Sequence, residues 1–249
     1  HEKPIYGGHE SRVSLETMMN TRTYFLNMFH ILGSEYDVIK QDLSTHGLSL
    51  FDHFDIKYVI LHKEFPASYG YLEKIQRQVF LPGIKQIMSE ILSEDNPVYE
   101  DNKIVVYKIP KPNSLEPFLL LGSGWYMFEP EHNARLTMKN SEILIVNPTN
   151  SEINITLNLV LSSVENKKTM TISNNGVKID AISIPIVVTD IQLENLILKP
   201  GINMVTLDAD KFILVQEFID CTKPNLYGTI DSCSRASVSF KVDSISIIN

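Results

Sequence analysis

Ile153-Asn154-Ile155-Thr156-Leu157-Asn158-Leu159-Val160-Leu161 alternates apolar side chains at odd positions with mostly polar ones between them. A period of two is the signature of a strand with one dry face. Outward from it, Met170 and Ile172 lead into Asn174-Asn175-Gly176, and Val177, Ile179 and Ala181 follow. Asn-Gly between two alternating runs specifies a two-residue hairpin turn, because both central residues must take positive φ. Further alternating runs lie at 191–198, 202–207, 212–219 and 236–248, with Pro200-Gly201 as punctuation. Many short strands separated by turns predict an all-β, jelly-roll-like sandwich over 113–249.

The first part of the chain reads differently. Leu15, Met18, Met19, Tyr24, Phe25, Met28 and Phe29 recur at helical spacing, with Ser14 as cap and Gly33 as stop. A second helical patch covers 48–54, and Lys57-Tyr58-Val59-Ile60-Leu61-His62 reads as a buried strand. Helical spacing returns over 71–93, interrupted by Pro82-Gly83. Val98-Tyr99-Glu100, a turn at Asp101-Asn102, and Ile104-Val105-Val106-Tyr107 make a hairpin. Pro110, Pro112 and Pro117 mark an extended linker. The fold class is therefore α+β: a small mixed α/β domain, 1–112, followed by the sandwich, 113–249.

Composition bounds the function. The 249 residues are 43% hydrophobic and 21% charged, an ordinary globular balance. A net charge of −8, with Lys167-Lys168 as the longest basic feature, excludes nucleic acid as a partner. No run of about 20 apolar residues is present to span a bilayer. The sequence opens on His1 among turn formers, not on Met, and is read as part of a larger chain.

Few residues offer chemistry. His9 and Arg12 lie in Gly7-Gly8-His9-Glu10-Ser11-Arg12, a binding patch or simply a turn; its spacing fits neither a phosphate loop nor a dinucleotide fingerprint. The seven histidines lack the His-Glu-x-x-His spacing of a zinc hydrolase. Asp208-Ala209-Asp210 has the Asp-x-Asp form of metal-dependent sugar transferases, but it falls between two strands, where acidic residues are common. No catalytic residue, metal or cofactor is assigned. Cys221 and Cys233, with eleven residues between them, are either a disulfide or two free thiols. Asn154-Ile155-Thr156 is the single glycosylation sequon. Leu121-Gly122-Ser123-Gly124-Trp125-Tyr126-Met127-Phe128 contains the only Trp. Trp125 with Tyr126 is either a stacking platform for sugar rings or a plug in the sandwich core.

Four phrases resemble a family. His1-Glu2-Lys3-Pro4-Ile5-Tyr6-Gly7-Gly8-His9-Glu10-Ser11-Arg12 resembles the segment after the last membrane span of polytopic GT-C-type glycosyltransferases, of the dolichyl-phosphate-mannose and aminoarabinose transferase kind. Phe54-Asp55-Ile56-Lys57-Tyr58-Val59-Ile60-Leu61-His62-Lys63 and the hairpin of 97–107 resemble the strand and hairpin that follow it. Gly124-Trp125-Tyr126 resembles the phrase that opens a terminal sandwich in many of these proteins. Glu2 stands where such proteins usually carry Gly, and His9 where they carry an aromatic residue. The resemblance implies a non-catalytic C-terminal module on the extracytoplasmic side of a cell membrane. Its partners would be the membrane-embedded remainder of the parent chain and a glycan or lipid-linked sugar acceptor. The other reading is a structural or protein-interaction module of a surface protein, marked by an exposed apolar patch.

Overall fold

A computed structural model describes residues 37–63, 81–92, 97–126, 132–214 and 237–248. The chain is mostly β and divides into two units. The first includes 58–108, and the second takes 37–57 together with everything from Ile109 onward. The stretch 37–57 groups with the sandwich strands.

In the first unit β1 (Tyr58–His62), β2 (Tyr99–Glu100) and β3 (Ile104–Lys108) form an antiparallel sheet in the order β1-β3-β2. Asp101 shapes the β2–β3 turn, its Oδ1 accepting from the backbone N–H groups of Lys103 and Ile104 at 2.7 and 2.8 Å. One sheet face buries Leu61, Val105 and Tyr107. The helix of this unit, Leu81–Leu92, buries Ile87, Met88, Ile91 and Leu92. Pro82 falls in its first turn, where a missing N–H breaks no helical bond.

In the second unit two antiparallel sheets supply the core. One runs β10 (Thr189–Leu198), β7 (Ile153–Ser163), β14 (Phe240–Ile248), β5 (Arg135–Leu136). The other runs β4 (Phe118–Leu121), β6 (Asn140–Asn147), β11 (Gly201–Ala209), β8 (Lys168–Asn174), β9 (Val177–Ile184). A short pair, β12 (Ile213–Leu214) with β13 (Ser237–Val238), completes the described strands. Leu157, Leu159 and Leu161 of β7 are fully buried.

Two bulges rescue the alternation. Ile191 and Leu193 are buried, and so are Leu196 and Leu198, an odd-to-even switch that would turn half the strand outward. The register shift between Leu193 and Leu196 absorbs it, with Asn195 at φ +58°. On the other flank of β7, Val242 and Ile245 are both buried through the same device, with Asp243 as the extra residue.

The turn Asn175-Gly176, with φ +50° and +79°, joins β8 to β9 as the Asn-Gly signal requires. Val177 and Ile179 do not reach a core, however. β9 is an edge strand exposed along most of its length, with a register shift beside Ile179.

Residues 37–57 close the opposite side. Ile39 adds to β14 as a parallel bridge to Ile245, with Ile245 N–H donating to Val38 O at 2.6 Å and Lys40 N–H to Ile245 O at 2.8 Å. Gln41 then crosses to the other sheet. Its amide acts as a strand partner for the edge of β4, accepting from Leu119 N–H at 2.8 Å and donating to Leu119 O at 3.2 Å. Asp42 caps helix α1 (Leu43–His53), accepting from Ser44 N–H and Thr45 Oγ. These bonds, the Thr45 hydroxyl first, hold its carboxyl below the usual range. We label the helix Leu81–Leu92 α2.

The strap is fixed by an ion pair. Arg135 and Asp37 are 5% and 3% exposed, and the guanidinium grips both carboxylate oxygens, Nε to Oδ1 at 2.6 Å. Removing one partner leaves the other charged and buried, so Asp37→Ala or Arg135→Met should each cost about 3–5 kcal/mol. Replacing both with apolar residues should cost clearly less than the two single changes together. Urea unfolding of the four species in a double-mutant cycle measures this.

Candidate functional site

Trp125 and Tyr126 leave the end of β4 in extended backbone. Trp125 faces Thr137 across an isolated antiparallel bridge, flanked by Met138 N–H to Gly124 O at 2.8 Å and Tyr126 N–H to Leu136 O at 2.9 Å. Two glycines make the approach possible. A Cβ on Gly122 would lie 2.8 Å from the Glu142 Cβ, and one on Gly124 only 1.9 Å from Asn140 O. Gly124 also holds φ +83°, a region L side chains rarely enter.

The two aromatic residues part company. Trp125 is half-buried, and its indole N–H donates to Glu142 O at 2.7 Å. The Glu142 carboxylate accepts from Ser123 N–H at 3.1 Å, two residues before Trp125. The ring of Tyr126 instead packs on a small apolar cluster of Leu136, Val164 and Val238, with Ile213. Its hydroxyl donates to Ser237 O at 3.4 Å, and its carbonyl accepts from Arg135 Nη1 at 2.8 Å. Only Trp125, then, has the geometry of a surface ring held in place.

The remaining candidates are scattered. His9, Arg12, Cys221, Cys233 and the stretch 127–131 lie outside the described residues. Asn154 is exposed on β7, its side-chain amide donating to Asn195 Oδ1 at 3.2 Å. Asp210 ties two strands together: its carboxylate accepts from Thr169 N–H at 2.9 Å and its own N–H donates to Thr169 O. Among the described residues no group of three His, Cys, Asp or Glu is placed to hold a metal. No described helix is long and apolar enough to cross a membrane.

Besides the Asp37–Arg135 pair, sequence reasoning missed Lys168 of the sandwich interior. Lys168 is 4% exposed on the core side of β8, opposite Ile184. Its ammonium donates to Val164 O at 2.8 Å and Ser239 O at 3.1 Å. Burial lowers its pKa, opposed by the more distant charges of Glu165 and Asp210. The pattern Lys168-x-Met170-x-Ile172 places Lys168 on the buried face, which is the signal that could have found it.

No protein-family model matches the sequence, and no match to a curated protein was found. Solved structures similar in fold are family 35 carbohydrate-binding modules. One from an environmental isolate is 13% identical, over 52% of this chain and 86% of that one, at a TM-score of 0.34. That of Cellvibrio japonicus is 14% identical over 53% and 93%, at 0.32. A third, solved with a glucuronic-acid-containing disaccharide, is 14% identical over 53% and 92%, at 0.31. At these values the likeness carries no functional inference.

Two outcomes follow from this geometry. Gly124→Ala should lose about 3 kcal/mol of stability by urea unfolding, since both the backbone and Asn140 resist the new Cβ. Lys168 has a folded-state pKa below its unfolded 10.5. Between those two values the unfolded chain binds more protons, so stability should rise with pH in that alkaline window. Lys168→Met should flatten this part of the stability–pH curve, measured as urea midpoints at a series of pH values.

Proposed function

We propose that the chain is a non-catalytic, extracytoplasmic C-terminal module of an integral membrane glycosyltransferase-like protein. In this reading a small α/β domain is followed by a jelly-roll sandwich, which holds or orients a glycan acceptor for the membrane-embedded remainder of the parent chain. The observation that carries it is the Trp125 ring, half-buried and fixed through its indole N–H to Glu142 O. A ring already immobilised loses little entropy when a sugar face stacks on it. The Glu142 carboxylate, bonded to Ser123 N–H, is an acceptor that sugar hydroxyls could also use. The four sequence phrases support the membrane parent.

A second reading is favoured by a separate feature. Ile186, Val187 and Val188 are 60%, 64% and 59% exposed in the connection from β9 to β10. Three consecutive β-branched side chains in water mark a surface that another protein covers. In that case the sandwich is a docking module and binds no sugar.

Trp125→Ala separates the two. In the glycan reading the variant loses detectable binding in affinity electrophoresis against soluble polysaccharides, and its melting temperature stays close to that of the parent chain. Unchanged binding sinks the role of Trp125, and a collapse of the melting temperature makes the ring a core plug.

A further inference from the structure

We propose that the open face of the sheet β1-β3-β2 is a second sugar-stacking surface, which takes a short oligosaccharide across Tyr58 and Tyr99. The inference rests on the glycan-module reading, and it adds a site that the sandwich does not contain.

Register places the residues. Ile60 and Tyr99 both pair with Val106, and Tyr58 pairs with Lys108, so all share one face of the sheet. The opposite face is the one that buries Leu61, Val105 and Tyr107. On the open face Tyr58, Ile60 and Tyr99 are 56%, 55% and 51% exposed. Tyr99 is held by its hydroxyl, which donates to Asp101 Oδ2 at 2.8 Å. Two strand spacings and a two-residue offset put the tyrosine Cα atoms roughly 12 Å apart. A short oligosaccharide covers that span, whereas a monosaccharide does not.

The size of the face selects the occupant. Two five-residue strands and the two-residue β2, about 4.8 Å apart, give a patch no larger than roughly 10 by 16 Å. A stable protein–protein interface needs on the order of 800 Å² from each partner, several times this area. Aromatic rings separated by an aliphatic floor of Ile60 and Val106, with His62 and Lys108 at the ends, suit the alternating C–H faces and hydroxyls of a sugar chain. Glu100, which pairs with Lys63 and Lys85, faces the other side of the sheet, so Lys108 and His62 are the polar ends of the open face.

The test is calorimetric titration of the whole chain with cellohexaose, xylohexaose, mannohexaose and laminarihexaose. Tyr58→Ala and Tyr99→Ala should each weaken the best ligand at least about tenfold, the equivalent of 1.4 kcal/mol. Tyr58→Phe and Tyr99→Phe, which keep the rings, should stay within about twofold of the parent chain on the same scale. Thermal melts of all four variants control for folding, and the Phe variants keep the test open if an Ala variant unfolds. Loss in the Tyr→Ala variants with binding intact in Trp125→Ala supports this face and removes the sandwich site. Loss in both sets supports both sites. Loss in Trp125→Ala alone overturns this inference and leaves the sandwich reading standing. Absence of binding in the parent chain overturns both, and so does concentration-dependent self-association that Tyr58→Ala abolishes, since a second copy then occupies the face.

Discussion

The guanidinium of Arg135 is where three separate pieces of the sandwich unit meet. It clamps the Asp37 carboxylate from the entering strap, it donates to Tyr126 O at the exit from β4, and its own strand β5 pairs with β14. Each contact fixes a segment that few other bonds would hold. β5 contributes only two residues to the sheet, and the strap adds a single bridge at Ile39. Burying a charge is costly unless every polar atom around it is satisfied. Here that cost turns into specificity: only one arrangement of strap, β4 exit and β5 satisfies both ions at once.

The strap follows from the same constraint. A two-sheet sandwich has open sides wherever edge strands end, and unpaired edges invite pairing with other chains. On one side Ile39 completes β14 and Gln41 completes β4, so a few consecutive residues serve both sheets. On the other side β9 and β10 remain edges, and local features blunt them. Asp180 Oδ1 accepts from Ala181 N–H at 2.7 Å, and both edge strands carry bulges. Strand pairing is therefore discouraged at β9 and β10 while the apolar Ile186-Val187-Val188 connection between them stays uncovered.

How much of this was legible depended on whether a residue's role was local. The Asn175-Gly176 hairpin and the dry face of β7 are local, and the sequence names them. The bulges are half-legible: Leu193 to Leu196 breaks the period visibly, but the break alone does not say that the chain continues as one strand. Helix α1 begins at Leu43, ahead of the patch expected from 48, because Ser44, Thr45 and Gly47 dilute its apolar pattern while Asp42 supplies the cap. The Asp37–Arg135 pair joins residues 98 apart, and no periodicity reports such a partnership. The site was legible only as residue types. Trp125 and Tyr126 look equivalent in sequence and are both half-buried, yet the indole bonds Glu142 O while the phenol ring packs on Leu136, Val164 and Val238.

That divergence bears on how a binding surface arises in this architecture. Adjacent residues of an extended segment point to opposite sides, so two neighbouring aromatic residues cannot form one platform unless the backbone turns. Aromatic side chains that share a face must come from paired strands or from alternate positions. In the first unit Tyr58 and Tyr99 meet that condition, since β3 lies between their strands and Val106 sets the register. In the sandwich Gly122 and Gly124 bring the chain against β6 closely enough for the Trp125 indole to reach Glu142 O. The first unit presents rings through pairing, and the sandwich presents one ring through close backbone approach. A substitution that leaves the sheet register intact should therefore spare the first surface, while the second depends on glycines that carry no side chain at all.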